Sequence, residues 1–433
     1  MRPFFTKEDF LRADPGGAPL PFSEDVRVLG DAVAVGPLTA PSRILYQPME
    51  GCDGEPDGSP GELTVRRYLR FAAGGPGIIW FEAVAVMREG RANPRQLMLT
   101  EENAGSFSRL VEKIKETAVR SGNPEPLVIM QATHSGRYSK PDGTPAPLVP
   151  QRCPALEKNG VPVTVVGDGY LDRVGEAIVR SAKLAEKTGF DGVDVKCCHR
   201  YLLSELLSAR ERDGKYGGRF ENRTRLLLDA VSGARAACRD GFAVATRLNV
   251  YDGAEIPNGF GSAPDGSFDP AEPEKLAREL AARGVSLINV TMGNPYFNPH
   301  VNRPFAQGAY DPPESPLDGV ARLLSGAETV KRAAPSAAVA ASGFSFLGAA
   351  APNVAAAFTA NGSFDLCGFG REAIAYPDLA SDILKNGAMK KEKLCMCCSK
   401  CTEIMRKPGG TPGCVLRDKE VYLPIYRKFC VED

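Results

Sequence analysis

The chain reads as an α/β protein, a (β/α)8 TIM barrel carrying a short cysteine-rich C-terminal extension. Three observations predict this. Eight short apolar runs recur along 433 residues, at 44–48, 77–86, 126–133, 192–196, 242–248, 286–291, 337–342 and 365–370. Longer segments lie between them, and those at 171–188 and 273–283 carry apolar residues at helical spacing. The length exceeds an average domain but suits one enlarged barrel. Eight buried strands alternating with helices favour closure of the sheet, with a doubly wound open sheet as the weaker alternative. The boundaries expected are a barrel over 1–388 and an extension over 389–433, where the character turns basic and rich in Cys, Pro and Gly.

Composition bounds the function. Hydrophobic residues make up 43% and charged residues 24%, which leaves ample material for a core. Lys+Arg and Asp+Glu both number 53, so the net charge is zero and offers no general attraction for nucleic acid or an anionic membrane. The N-terminal MRPFFTKEDF lacks an apolar signal region, and no stretch approaches the 18 apolar residues of a membrane span. A soluble, cytoplasmic protein is expected, without membrane insertion, and a homo-oligomer is left open.

Taken strand by strand, the polar residues collect at the strand ends, where barrel enzymes keep their chemistry. Gln131 closes the third run in MQATHSGRY, and Arg247 closes the fifth in TRLNVYDG. An amide and a guanidinium projecting into the barrel mouth suit a heterocycle with carbonyls and ring nitrogens. Each also suits a satisfied polar group at the rim. The fourth run ends in Lys196-Cys-Cys-His199-Arg-Tyr201, which sends Lys196, His199 and Tyr201 together from one strand end. Polar inserts rich in Gly and Pro follow the fifth and sixth runs, at 252–273 and 294–316. The seventh run ends in Ala341-Ser-Gly343 and the eighth in Gly368-Phe-Gly370-Arg371. Glycines there let backbone N–H groups approach an anion, and Arg371 adds a charged fork, so a phosphate-bearing cofactor is expected.

Twelve cysteines are present, and five fall between Cys395 and Cys414. Clustering of this kind points to metal ligands before disulfides. Cys395, Cys398, Cys401 and Cys414 make C-x2-C-x2-C-x12-C, a run that suits an iron–sulfur cluster. Structural zinc is the rival, although zinc more often takes two separated C-x2-C pairs. Cys397 lies out of that spacing and competes with Cys398, while Cys197 and Cys198 read as small buried hydrophobes. Cys52 and Cys430 stay unassigned.

With SRILYQPM, the Q-x-x-H-x-G-R of 131–137, Tyr201-Leu-Leu, YGG-x-x-ENR and the terminal G-x-G-R in order, the chain resembles the Old Yellow Enzyme family of FMN-dependent barrels. The cysteine tail narrows the resemblance to the iron–sulfur branch that includes 2,4-dienoyl-CoA reductase and trimethylamine dehydrogenase. The resemblance implies FMN and a [4Fe-4S] cluster as cofactors. It sets Pro48, Met49, Glu50 and Ala83 along the flavin edge, Gln131 and Arg247 on its pyrimidine, and Gly343, Gly370 and Arg371 on its phosphate. Tyr201 matches the proton donor of the family's ene-reductases, with Lys196 and His199 at the carbonyl-binding positions. His with His or Asn is usual there, so Lys196 is a departure. Glu50 stands where the amine-dehydrogenase branch has its flavin-linking cysteine, which makes covalent flavin doubtful.

The implied activity is reduction of a C=C bond conjugated to a carbonyl or carboxylate. Amine dehydrogenation or demethylation is the alternative, and an electron-transfer or zinc-stabilised binding subunit is a third. The chain ends nineteen residues after Cys414 with no second nucleotide-binding unit. A separate ferredoxin- or flavoprotein-like electron donor is therefore expected, with direct reduction by NAD(P)H as the competing route.

Overall fold

The computed structural model describes residues 4, 6–13, 19–158, 160–305 and 310–431. Part of the second insert, 306–309, lies outside the described residues. The eight runs form eight strands: β1 (Ile44–Tyr46), β2 (Ile78–Ala85), β3 (Leu127–Thr133), β4 (Gly192–Val195), β5 (Ala243–Asn249), β6 (Leu287–Thr291), β7 (Ala338–Ala341) and β8 (Leu366–Phe369). Each pairs in parallel with its sequence neighbours, and β8 pairs with β1 to close the barrel. The open-sheet alternative is thereby excluded. Burial on both faces explains why the strands read as continuous apolar runs.

Alternation along each strand sorts the side chains. Outward residues such as Ile79, Phe81 and Val244 join the main core beneath the helices. Inward residues such as Leu45, Ile78, Ile129 and Leu287 form a second cluster inside the barrel. A hairpin of Val33–Val35 and Leu38–Ala40 packs Val33, Val35 and Ala40 into that inner cluster. Higher in the barrel the inward layer turns polar. Gln47 and Asn289 exchange two amide hydrogen bonds across it, at 3.1 and 2.7 Å. Gly368 faces this pair, and a Cβ there would fall 1.9 Å from Gln47 Nε2, so no larger residue fits.

A β-bulge in β2 positions the loop after β1. The register against β3 shifts between Phe81 and Ala83, which leaves Glu82 as the extra residue. Glu82 turns to Arg67, and its other oxygen accepts from Gly51 N–H at 2.7 Å. Arg67 also pairs with Asp53 at 2.6 Å. All three charged groups are buried, so each depends on the others for satisfaction. The network pins the backbone on either side of Gly51, next to Met49 and Glu50.

The cysteine-rich segment begins after the helix Leu379–Asn386 ends on the left-handed Gly387. It returns to the barrel at several points. Cys395 N–H donates to the buried Glu372 carboxylate at 2.9 Å, and Arg66 and Arg70 on the first barrel helix pair with Asp418. Its own small core joins Ile404, Val415 and Tyr422. No helix among the described residues is long and apolar enough to cross a membrane.

Candidate active site

A cleft of about 1170 Å³ of open and enclosed space lies at the C-terminal mouth of the barrel. Every site residue expected on the barrel lines it: Pro48, Met49, Glu50, Ala83, Gln131, Lys196, His199, Tyr201, Arg247, Gly343, Gly370 and Arg371. Cys401, Thr402, Met405 and Pro412 of the cysteine-rich segment close one wall. The strand-end residues and the tail therefore share one cavity.

The floor is a hydrogen-bonded layer built by strand alternation. Asp194 on β4 accepts from Gln131 Nε2 at 2.7 Å, from Trp80 Nε1 at 2.8 Å and from Arg247 N–H at 2.6 Å. Burial still pushes its carboxyl up to about 6, against those donors. Asp194 thus orients Gln131, a role not evident from the residue's place inside an apolar run. Arg247 Nε and Arg371 Nη1 are buried with no hydrogen-bond partner among the described residues. Gly343 has φ +111°, and a Cβ there would meet Leu323 at 2.9 Å. Unpartnered guanidinium N–H groups on the β5 and β8 sides, with bare backbone between, fit a planar heterocycle carrying a phosphate tail. FMN has those parts.

The turn after β4 aims the reactive side chains. His199 and Arg200 both adopt left-handed conformations, with φ of 64° and 58°. Such strain costs about 1–3 kcal/mol per residue and needs holding from outside. Arg200 supplies the hold, pairing with Asp252 at 2.9 Å and donating to the Asn258 carbonyl at 2.7 Å. His199 then meets Asn302, whose amide nitrogen lies 3.2 Å from Nε2. That nitrogen also donates to the Thr291 hydroxyl and the Met292 carbonyl, both at 3.0 Å, and an amide nitrogen does not accept, so a hydrogen bond from it to His199 has Nε2 as the acceptor. Burial pushes the imidazole pKa far down, which favours the neutral ring.

Tyr201 caps the helix Leu202–Leu206 without using its side chain as a cap. Its hydroxyl lies 3.1 Å from that of Tyr296, and Lys196 Nζ sits 3.8 Å from its ring centroid. Burial, then Tyr296 and Glu50, hold the phenol far above its usual pKa, so it keeps its proton. Burial lowers the Lys196 ammonium.

Tyr296 comes from the insert after β6. It stacks on Tyr138 at 3.9 Å, and Asn294 fixes both, donating to Tyr138 Oη at 2.7 Å and accepting from Tyr296 N–H at 2.9 Å. His300 instead bonds Tyr310. His134 braces the loop after β3, accepting from Gly136 N–H at 3.1 Å and meeting Tyr170 Oη at 2.7 Å. YGG-x-x-ENR is architectural: Tyr216 donates to Asp172 at 2.6 Å, and Arg223 binds Glu272 and the Leu207 carbonyl.

Glu50 faces the cleft and accepts from Asn93 Nδ2 at 3.1 Å; the same nitrogen lies 3.3 Å from Cys52 Sγ. Burial, opposed by Lys196, pushes its carboxyl up from 4.5 to about 7. A raised carboxyl pKa makes its contribution to stability complete below the unfolded value and lost as pH rises through the folded one. In flavin-free protein, the wild type is expected to lose roughly 3 kcal/mol relative to Glu50→Gln between about pH 4 and pH 8. Denaturation midpoints across that range measure it; a gap that ignores pH would show that Glu50 does not titrate there.

In the tail, Cys395 and Cys397 are buried, Cys398 is exposed, and Cys401 and Cys414 are half-buried. Burial and the nearby Cys395 push the Cys398, Cys401 and Cys414 thiols up, which puts Cys395 within electrostatic reach of the other three. Arg417 N–H donates to Cys414 Sγ at 3.3 Å and Cys397 N–H to Cys395 Sγ at 3.4 Å. Left-handed backbone at Cys397 and Ser399 winds the run into a tight loop. Among the described residues, no three His, Cys, Asp or Glu side chains are arranged to hold a single metal ion. Cys197 and Cys198 are fully buried, with the Cys198 thiol pushed up to about 11 by burial.

Residues 31–303 match the NADH:flavin oxidoreductase / NADH oxidase family. The chain is 30% identical over 260 residues to an NADPH dehydrogenase of Bacillus pumilus, covering 59% of this chain and 70% of that protein. An NADPH dehydrogenase of Bacillus subtilis is 26% identical over 273 residues, 62% of this chain and 74% of that one. Among solved structures, a 2-naphthoyl-CoA reductase in complex with 2-naphthoyl-CoA superposes with a TM-score of 0.72 at 20% identity, over 90% of this chain and 57% of that chain. Morphinone reductase superposes with a TM-score of 0.63 at 22% identity, over 85% and 91%. At these identities the structures share the fold, and this chain spans little more than half of the first.

Proposed function

The chain belongs to the NADH:flavin oxidoreductase / NADH oxidase family and is an FMN-dependent oxidoreductase, and from that premise we propose that it reduces a C=C bond conjugated to a carbonyl or carboxylate. The observation that carries this reading is the Tyr201 hydroxyl, buried in the cleft beside the Tyr296 hydroxyl with the Lys196 ammonium on its ring face. Bound FMN would supply hydride from N5, held by Gln131, Arg247, Gly343, Gly370 and Arg371 and by the 48–50 and Ala83 edge.

The chain's own residues do the rest. Tyr201 keeps its proton across the physiological range and delivers it to the substrate α-carbon. A cation on an aromatic face favours growing negative charge in the ring, so Lys196 helps as the proton leaves. Tyr296 is the neighbouring hydroxyl through which Tyr201 regains a proton. His199, neutral and fixed by Asn302, and Lys196 offer donors to the substrate oxygen.

The four cysteines Cys395, Cys398, Cys401 and Cys414 would hold a [4Fe-4S] cluster, which would supply one-electron transfer. What supports that assignment is Cys401 in the cleft wall and backbone N–H groups already directed at Cys395 and Cys414 sulfur.

A second reading, oxidation of a cationic amine, is favoured by the Glu50 carboxyl among Tyr201 and Tyr296. Lys196 already occupies the Tyr201 face that an ammonium would need, so reduction stands ahead. The test is anaerobic: reduced enzyme mixed with a panel of enones, enoates and, in the oxidised form, small amines. Rapid reoxidation by an enone or enoate is expected. Flavin reduction by amines with no reoxidation by any activated alkene would overturn the reading.

A further inference from the structure

The cleft holds two buried arginines that the fold alone does not explain. Arg371 leaves the end of β8, whereas Arg303 comes from the insert after β6, just past the short helix Pro299–Asn302. Both line the cleft. Their side-chain hydrogen bonds among the described residues go to neutral oxygens: Arg303 Nη1 to Thr402 Oγ1, and Arg371 Nη2 to the Pro304 carbonyl at 3.4 Å. Arg303 Nε and Arg371 Nη1 are buried with no hydrogen-bond partner among the described residues. Pro304 adjoins Arg303 in the chain, so Arg371 meets the segment that carries Arg303. Buried guanidinium N–H groups left without an acceptor suit an anion, and arginine forks match the oxygens of a phosphate.

We propose that Arg303 is a second phosphate-binding arginine, forming with Arg371 a clamp on the FMN phosphate whose outer edge is held by Thr402 of the cysteine-bearing helix Lys400–Arg406. The proposal rests on the FMN reading and adds a residue from an insert that carries no glycine-rich phosphate signature. It also gives Thr402 a purpose: its hydroxyl takes one Arg303 nitrogen and leaves the others for the anion. The cofactor's phosphate and the wall next to Cys401 then share one side chain.

The competing role for Arg303 is to offset thiolate charge at Cys401, and the test separates the two. Holoenzyme is stripped of flavin and titrated with FMN and with riboflavin, which lacks the phosphate, following flavin fluorescence. Wild type is expected to prefer FMN strongly. Arg303→Gln is expected to weaken FMN about 10- to 100-fold while leaving riboflavin unchanged, the size of one or two hydrogen bonds to a charged group. Unchanged riboflavin affinity also reports an intact fold. Should Arg303→Gln not fold, Arg303→Lys keeps the charge without the fork and is expected to lose part of the FMN preference. An FMN-to-riboflavin ratio equal to wild type in a folded variant overturns the proposal. Failure of the wild type to bind either flavin overturns the FMN reading itself, and the proposal with it.

Discussion

Replacing Tyr201 with phenylalanine is expected to slow substrate-dependent reoxidation of the reduced enzyme by about 10²- to 10⁴-fold, the range of a positioned general acid. Reduction of the flavin by its electron donor is expected to survive within a few-fold. The asymmetry follows from the geometry. The hydroxyl is the group that faces the cleft and Tyr296, while the ring carries the contact with Lys196 and stays in place in the variant. Stopped-flow measurement of the two half-reactions reads both rates. Tyr296→Phe is the companion, expected to cost less, because it removes the relay and leaves the donor. Equal slowing of both half-reactions would mean that the variant disturbs the cleft as a whole. No slowing of either would remove Tyr201 from proton transfer and return the amine reading to the front.

On the cluster proposed above, wild type is expected to hold about four iron and four acid-labile sulfide per chain, and Cys401→Ser to lose nearly all of both. Serine keeps the size of the side chain but not the soft thiolate that iron–sulfur clusters need. Cys401 lies in the wall of the cleft beside Thr402, so its loss is also expected to weaken FMN binding. Cys430→Ser is the control, since Cys430 packs on the small tail core and stands outside the C-x2-C-x2-C-x12-C run. Comparing Cys398→Ser with Cys397→Ser resolves the ligand set. The spacing assigns Cys398, although Cys397 is the more buried of the two and its thiol donates to the Ser345 carbonyl at 3.5 Å. Stoichiometric zinc in place of iron in the wild type would overturn the cluster.

The barrel was legible because its signals are local. Each of the eight apolar runs became a strand within a residue or two of its expected ends, and the helical segments at 171–188 and 273–283 became Asp168–Lys187 and Ala271–Ala282. Gln131, Lys196 and Arg247 stood out for a related reason. A strand alternates its side chains, so a polar residue closing an apolar run projects into the barrel mouth. The spacing of Cys395, Cys398, Cys401 and Cys414 is likewise a short-range pattern, readable without any tertiary contact.

What the chain order did not reveal comes from irregular backbone and from contacts between distant segments. The bulge at Glu82, the left-handed pair His199–Arg200 and the Tyr138–Tyr296 stack have no periodicity that would announce them. Asp194 looked like one residue of a strand and proved to be the acceptor that organises the floor of the cleft. Arg303 lay in a polar insert rich in Gly and Pro, and only folding set it against Thr402 and next to the Pro304 carbonyl that Arg371 binds. Sequence alone determined the barrel, the polar strand ends and the cysteine spacing, because hydrophobic period and ligand spacing act over a few residues. Tertiary structure decided which of those groups share one cavity, because loop closure and buried charge depend on partners that lie a hundred residues away.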